Sequence, residues 1–342
     1  MRGKSSRDLF PYTFREGQEE ALEFLQSHFP EKNICLDAAT GFGKTPIILS
    51  VLLMDEWPVL WTVRTGNETD RPVEELKAIN EASDGNFFGF SYRGKRDMCL
   101  LARDRDVDSY RGVSTLCDRE KENCQYYERL KTGFNPERLA GKPLLYSEIM
   151  EKCREHGVCP YYAQQELLGY ADLVGLSYNY IVHEGIGWAI RNKLPFRLCN
   201  LVVDEAHNLR RAGNVNSDKI TLGTLRYAIG EMEEFDTSRG SEVREFIEDM
   251  WSEAEIEDMW SENGVAFIGT VKGDNLELER WDMRSAEILG DRWEEFRSAT
   301  FCSGTLKPIP AFAETVGLED WEGSSFEAGF VRLCPTAPFP AR

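Results

Sequence analysis

The segment Asn33-Ile34-Cys35-Leu36-Asp37 runs into Ala38-Ala39-Thr40-Gly41-Phe42-Gly43-Lys44-Thr45, and a helical stretch from Pro46 to about Met54 follows. No other stretch narrows the fold so far. An apolar run, a glycine-bearing turn ending in Lys-Thr and a helix give the strand–loop–helix order of an α/β nucleotide-binding unit. Gly41 and Gly43 let the backbone curl so that its N–H groups face phosphate oxygens. Lys44 supplies a point charge to the β- and γ-phosphates, Thr45 offers a hydroxyl to magnesium, and the helix adds its positive end. Ala38 stands where this pattern usually begins with glycine.

A second signal completes the first. Leu198-Cys199-Asn200-Leu201-Val202-Val203 is the most strand-like run in the chain and ends in Asp204-Glu205-Ala206-His207. Uninterrupted apolar runs belong to parallel strands buried on both faces. A carboxylate at the end of such a strand is costly unless a cation meets it. In a phosphate-loop enzyme Asp204 would hold magnesium and Glu205 would polarise the attacking water. Further strands are expected at 59–63, 86–92, 171–177, 264–271, 275–281 and 299–302. Helices are expected at 72–79, around 119–131, at 146–156 and near 284–296. The alternation predicts an α/β fold with a parallel sheet. Upstream, Arg15 and Gln18 sit beside Phe10, Tyr12 and Phe14, a set that suits either adenine recognition or a surface helix N-terminus.

The chain of 342 residues has a formal charge of −19, which argues against a general DNA-coating protein. The charge is sorted, however. Residues 91–160 hold 14 basic and 12 acidic side chains, whereas 209–300 hold 11 and 22, so a groove built from the earlier stretch can still receive phosphates. The run Arg93-Gly94-Lys95-Arg96 is read as a phosphate contact or a solvated charge run. Met1 to Asp8 lacks the apolar core of a secretory signal, and no apolar run nears the roughly 18 residues of a membrane span. A soluble, intracellular protein is expected, without membrane partners: cytoplasmic, or nuclear in a eukaryote.

Nine cysteines in such a chain point to metal binding or burial rather than disulfides. Cys35, Cys199 and Cys302 lie singly in apolar runs. Cys99, Cys117, Cys124 and Cys159 are separated by 17, 6 and 34 residues, unlike the paired Cys-x-x-Cys of zinc ribbons. Wide gaps suit an iron–sulfur cluster that staples a loop-rich insertion. A zinc half-site of Cys153, His156 and Cys159 is the rival, and plain buried thiols are a third reading. Cys153 fits the buried face of the helix expected at 146–156.

Taken in order, Arg15 and Gln18, Ala38–Thr45, Val63-Arg64-Thr65, four cysteines ending in Cys159-Pro160-Tyr161-Tyr162, Tyr178-Asn179-Tyr180, Asp204–His207 and Ser303-Gly304-Thr305-Leu306 resemble the XPD family. These are iron–sulfur DNA helicases of superfamily two, relatives of the DinG helicases. The resemblance runs from about residue 9 to 330. It implies a RecA-like motor domain that hydrolyses ATP with magnesium to drive 5′-to-3′ movement on single-stranded and forked DNA in repair. By the same resemblance Arg15 and Gln18 would recognise adenine. Arg64 and Thr65 would touch the single strand, with Arg93, Lys95 and Arg96 beside them. His207, Ser303, Gly304 and Thr305 would couple hydrolysis to movement. Cys99, Cys117, Cys124 and Cys159 would hold a [4Fe-4S] cluster.

The expected organisation is a motor domain over 1–92, 161–208 and 264–342. A cluster domain at 93–160 and a short acidic helical insertion at 209–263 interrupt it, the latter standing where the family usually has a larger arch. Within 209–263 lies a nine-residue tandem repeat at 247–262, read as a tolerated duplication. Only 36 residues follow Leu306, so a second motor domain with its arginine finger is expected to be missing, to be supplied by another chain if at all, and the chain to be a fragment or truncated form. The alternative function is an iron–sulfur nucleotide- or DNA-binding module without motor activity.

Overall fold

The computed structural model describes residues 4–209, 219–221, 265–272, 275–282 and 285–327. Ten strands are described: β1 (Asn33–Ala38), β2 (Val59–Val63), β3 (Gly89–Ser91), β4 (Leu173–Ser177), β5 (Asn200–Asp204), β6 (Lys219–Thr221), β7 (Val265–Lys272), β8 (Asn275–Asp282), β9 (Ser298–Ser303) and β10 (Trp321–Phe326). Seven form one sheet in the order β10-β1-β9-β5-β2-β4-β3, and every pairing in it is parallel. The apolar runs read from the sequence are its inner strands. Val59–Val63 and Asn200–Asp204 are buried at every position, as a strand covered on both faces must be.

Helices cover the sheet, and their sequences show how deeply each is embedded. The helix Lys44–Leu52 is buried at all nine positions, which explains its lack of a polar face. The helix Asp70–Ser83 buries Pro72, Val73, Leu76, Ile79 and Ser83, the one-sided spacing of an amphipathic helix. Trp61, Ile34, Leu36 and Val202 lie in the core with Leu22, Leu25 and Ile48 from the covering helices. Each such side chain contributes about 1.5–3 kcal/mol by leaving water.

The chain divides into two compact units: Met1–His207 with Trp293–Ala313 and Glu319–Arg342, and Asn208–Arg292 with Glu314–Leu318. The first carries the parallel sheet. The second carries a separate antiparallel sheet, β6-β8-β7. The sequence reading had given 264–281 to the motor, but β7 and β8 pair with each other and with β6. The sequence of β8, Asn-Leu-Glu-Leu-Glu-Arg-Trp-Asp, explains the difference: it alternates polar and apolar, the pattern of an antiparallel strand with one face in water. Lys219–Thr221, placed within a helical insertion from the sequence, is a strand. The rest of that insertion and the 247–262 repeat lie outside the described residues. Among the described residues, no helix is long and apolar enough to cross a membrane.

Between β3 and β4 the chain leaves the sheet for the cysteine-bearing insertion. The helical pieces expected around 119–131 are the end of Tyr110–Glu120 and the helix Gln125–Gly133, parted by a tight turn at Lys121–Asn123. Cys124 makes the break: its extended backbone (φ −75°, ψ 113°) caps the second helix.

Candidate nucleotide and nucleic-acid site

Because β9 lies between β1 and β5, the carboxyl ends of these three strands bring Ala38, Ser303 and Asp204 side by side. Ligands of open α/β sheets bind at such ends. Gly41 and Gly43 both take left-handed backbone (φ 82° and 95°), as the curled loop requires. A Cβ on Gly43 would stand 2.7 Å from Gln18 Nε2, so glycine is needed there on two counts. Lys44 is buried, and its Nζ donates to the carbonyls of Ala38 (2.8 Å) and Ala39 (3.3 Å), holding the cation at the mouth of the loop. Lys44 begins the covered helix, and Thr45 is its second residue.

Arg15 and Gln18 brace this loop. Arg15 Nη2 donates to the carbonyls of Gly41 and Phe42 at 2.8 and 2.9 Å, and Gln18 Nε2 donates to that of Phe42. Phe10 and Phe14 stack at 4.2 Å nearby in sequence.

Asp204 is almost wholly buried, and burial pushes its carboxyl above the ordinary carboxylate range. The neighbouring Glu205 charge adds to the rise, while Lys44 and two donors to Oδ1 oppose it. The donors are the Glu205 N–H at 2.9 Å and the Cys302 thiol at 3.4 Å. Burial and the nearby Asp204 charge push the Cys302 thiol well up, so it remains a donor. Asp204 forms no ion pair among the described residues. A buried carboxylate in that position suits a divalent cation, with Thr45 as the second candidate ligand.

Glu205 has left-handed backbone (φ 49°), which turns the chain sharply after β5. Its Oε2 accepts from Ser303 Oγ at 3.0 Å. Ser303 Oγ also meets His207 Nδ1 at 2.7 Å and the Thr305 N–H at 3.3 Å. A serine has one proton, so with Glu205 accepting it, His207 Nδ1 must be the donor in its contact. Gly304 packs 3.4 Å from Ala39 Cα by its would-be Cβ, so the loop after β9 touches the phosphate loop.

Arg64, Thr65, Arg93, Lys95 and Arg96 all line one cavity of about 760 Å³ in the first unit. Sequence reasoning missed its aromatic half. Tyr110 and Trp188 line it too, and they are 68% and 66% exposed, the most exposed large apolar side chains among the described residues. Arg96 lies over the Tyr110 ring at 4.1 Å. Arg93 is buried, donates from Nη1 to Asn67 (3.2 Å), stacks on Tyr146 (4.7 Å) and keeps an unpartnered Nε. Gln164, also missed, fixes the Arg93 backbone by accepting from its N–H and donating to its carbonyl. Asp37 was passed over as part of the first strand. Its Oδ1 accepts the Leu306 N–H at 2.8 Å and ties β1 to the loop after β9. A carboxylate inside a buried strand was the available signal. Tyr178, named in the sequence only as part of Tyr178-Asn179-Tyr180, donates its hydroxyl to the Asp204 carbonyl.

Cys99, Cys124 and Cys159 each cap a helix with nearly the same backbone, φ/ψ of −81/110°, −75/113° and −72/113°. Cys99 and Cys159 are buried, and Cys117 lies in the last turn of Tyr110–Glu120. The four share one neighbourhood: Cys99 feels the charge of Cys117 and Cys124, and Cys159 that of Cys99 and Cys124. Burial pushes Cys159 up to about 12 and Cys99 upward, while backbone N–H groups of the following turn pull both down. Among the described residues, no three His, Cys, Asp or Glu side chains already stand in a ligating arrangement. The chemistry of the donors nonetheless suits a cluster: four thiols carried by one insertion, with an N–H on Cys99 Sγ from Ala102 at 3.4 Å. Cys153 is fully buried on the helix Tyr146–His156, as expected.

The DEAD_2 family model matches residues 61–224. The ATP-dependent DNA helicase XPD of Sulfolobus acidocaldarius is 26% identical over 297 residues, covering 85% of this chain and 47% of that protein. Over most of its length the chain is similar to XPD helicases. The Dictyostelium discoideum protein named general transcription and DNA repair factor IIH helicase subunit XPD is 24% identical over 245 residues, 63% of this chain and 31% of that one. Among solved structures, one titled XPD_Helicase superposes with a TM-score of 0.60 at 20% identity over 92% of this chain and 62% of its own. Another, titled Truncated XPD, gives 0.57 at 21% identity and is covered over 99% of its length. These likenesses show the RecA-like α/β fold. The chain spans less than half the length of these curated relatives.

Proposed function

We propose that this chain carries the nucleotide-binding, strand-gripping and cluster-bearing part of an ATP-dependent 5′-to-3′ DNA helicase. The observation that carries the reading is the position of Ser303. Its hydroxyl joins the acid Glu205 to His207, while the same loop packs on Ala39 and is tied to Asp37. Phosphate chemistry at β1 and β5 would thereby be linked to the loop after β9. Lys44 and the loop amides would hold the β- and γ-phosphates, and Arg15 and Gln18 would place the adenine. Glu205 would take the proton of the attacking water as its oxygen bonds to the γ-phosphorus and the bond to ADP breaks. Magnesium, held by Asp204 and Thr45, would neutralise charge on the phosphates.

The cavity at Arg64, Thr65, Arg93, Lys95 and Arg96 would receive single-stranded or forked DNA, its cations on phosphates and Tyr110 and Trp188 under bases. Positive charge that tracks the backbone beside aromatic faces is how single strands are gripped without reading sequence. Cys99, Cys117, Cys124 and Cys159 would hold a [4Fe-4S] cluster, which would cross-link an insertion otherwise made of short helices. DNA-repair proteins and a second motor domain are the partners this reading implies, within the cytoplasm or a nucleus.

The test is nucleotide binding and phosphate release by the full 342-residue chain, with and without an oligothymidine strand. Lys44→Ala should abolish nucleotide binding, Glu205→Gln should spare binding and stop the slow residual hydrolysis, and the strand should accelerate turnover only once a second motor domain is supplied. Nucleotide and strand binding with no effect of one on the other even then would favour the non-motor binding module.

A further inference from the structure

The end of β9 touches the metal-binding candidate directly. Cys302 is fully enclosed and opposes Asp204 in the β5–β9 register, and its Sγ lies 3.4 Å from Oδ1. That oxygen also accepts the Glu205 N–H. The thiol sits in the apolar cluster with Ile34, Leu36 and Val202, so it is held on both sides.

We propose that Cys302 is a positioning residue for magnesium: by donating to Oδ1 it fixes the rotation of the Asp204 carboxylate and leaves Oδ2 to the ion. This rests on the assignment of Asp204 as the magnesium-binding acid. The physical need is plain. The terminal torsion of an aspartate is broad and roughly two-fold, so a carboxylate is oriented by its donors more than by its own rotamer. Two donors fill both lone pairs of Oδ1, whereas the backbone N–H alone would leave the group free to swing. Partners that orient metal ligands typically govern metal affinity by 10–100-fold. A thiol is a weak donor, which puts the expected effect at about three- to tenfold.

The test uses the full chain and a fluorescent ADP analogue titrated with magnesium. Cys302→Ala should raise the magnesium concentration for half-maximal binding about three- to tenfold, with binding in EDTA unchanged. Cys302→Ser, which keeps a hydroxyl donor, should return close to wild type. Should the alanine variant prove too unstable, Cys302→Val removes the donor with the volume nearly kept. An unchanged magnesium requirement in the donor-less variant, or an equal rise in the serine variant, would overturn the proposal. Asp204→Asn is the separate arm. If that variant keeps the wild-type magnesium dependence, the assignment of Asp204 is at fault and the proposal falls with it.

Discussion

Ser303 has one proton and two lone pairs, and all are committed: the proton to Glu205, the lone pairs to His207 and the Thr305 N–H. Removing the hydroxyl leaves a carboxylate short of a donor where Glu205 would meet water, but removes nothing from the phosphate loop. Ser303→Ala should therefore keep nucleotide affinity within about twofold while slowing phosphate release about 10- to 100-fold, the worth of a hydrogen bond to a charged group. Single-turnover hydrolysis beside a nucleotide titration separates the two. Equal losses in both would mean that the serine serves the loop and not the acid.

The insertion is an element whose sequence shows its parts better than their meeting. Cys153, enclosed on its own helix, should be replaceable by serine with iron retained, whereas Cys117→Ser should lose it. About four irons per chain are expected in brown, anaerobically purified protein, and colourless protein with stoichiometric zinc would sink the cluster. The wide cysteine spacing was legible because thiols at helix starts mark themselves in a sequence. The aromatic wall of the neighbouring cavity was not. Tyr110 and Trp188 lie 78 positions apart, and their exposure follows from how two elements face each other, which no local pattern encodes. Trp188→Ala and Tyr110→Ala should each weaken binding to oligothymidine by about 1–3 kcal/mol without changing its salt dependence, because no charge is removed. Arg93→Ala should shift the salt slope instead. Likewise β1, β2 and β5 were readable as apolar runs, whereas β7 is also an apolar run and yet pairs with the alternating β8 in a separate antiparallel sheet.

At the scale of the molecule, the sheet is sewn from distant parts of the chain. The phosphate-loop strand β1 is paired on one side by β9 and on the other by β10, both beyond residue 297. A chain ended before Ser298 would leave β1 without either neighbour and β5 with one free edge. Such a truncation should lose cooperative thermal unfolding and nucleotide binding together, as followed by circular dichroism and an ADP titration. Retention of both would show that β2, β4 and β5 suffice as a core. The same arrangement sets a timetable for the ribosome. Bacterial-to-eukaryotic synthesis runs at about 5–20 residues per second, so roughly 260 residues must emerge after β1 before its partners exist, a wait on the order of 13–50 s. Throughout that interval Ile34, Cys35 and Leu36 form a sticky, unpaired edge, the kind of surface on which nascent chains aggregate unless a chaperone covers them.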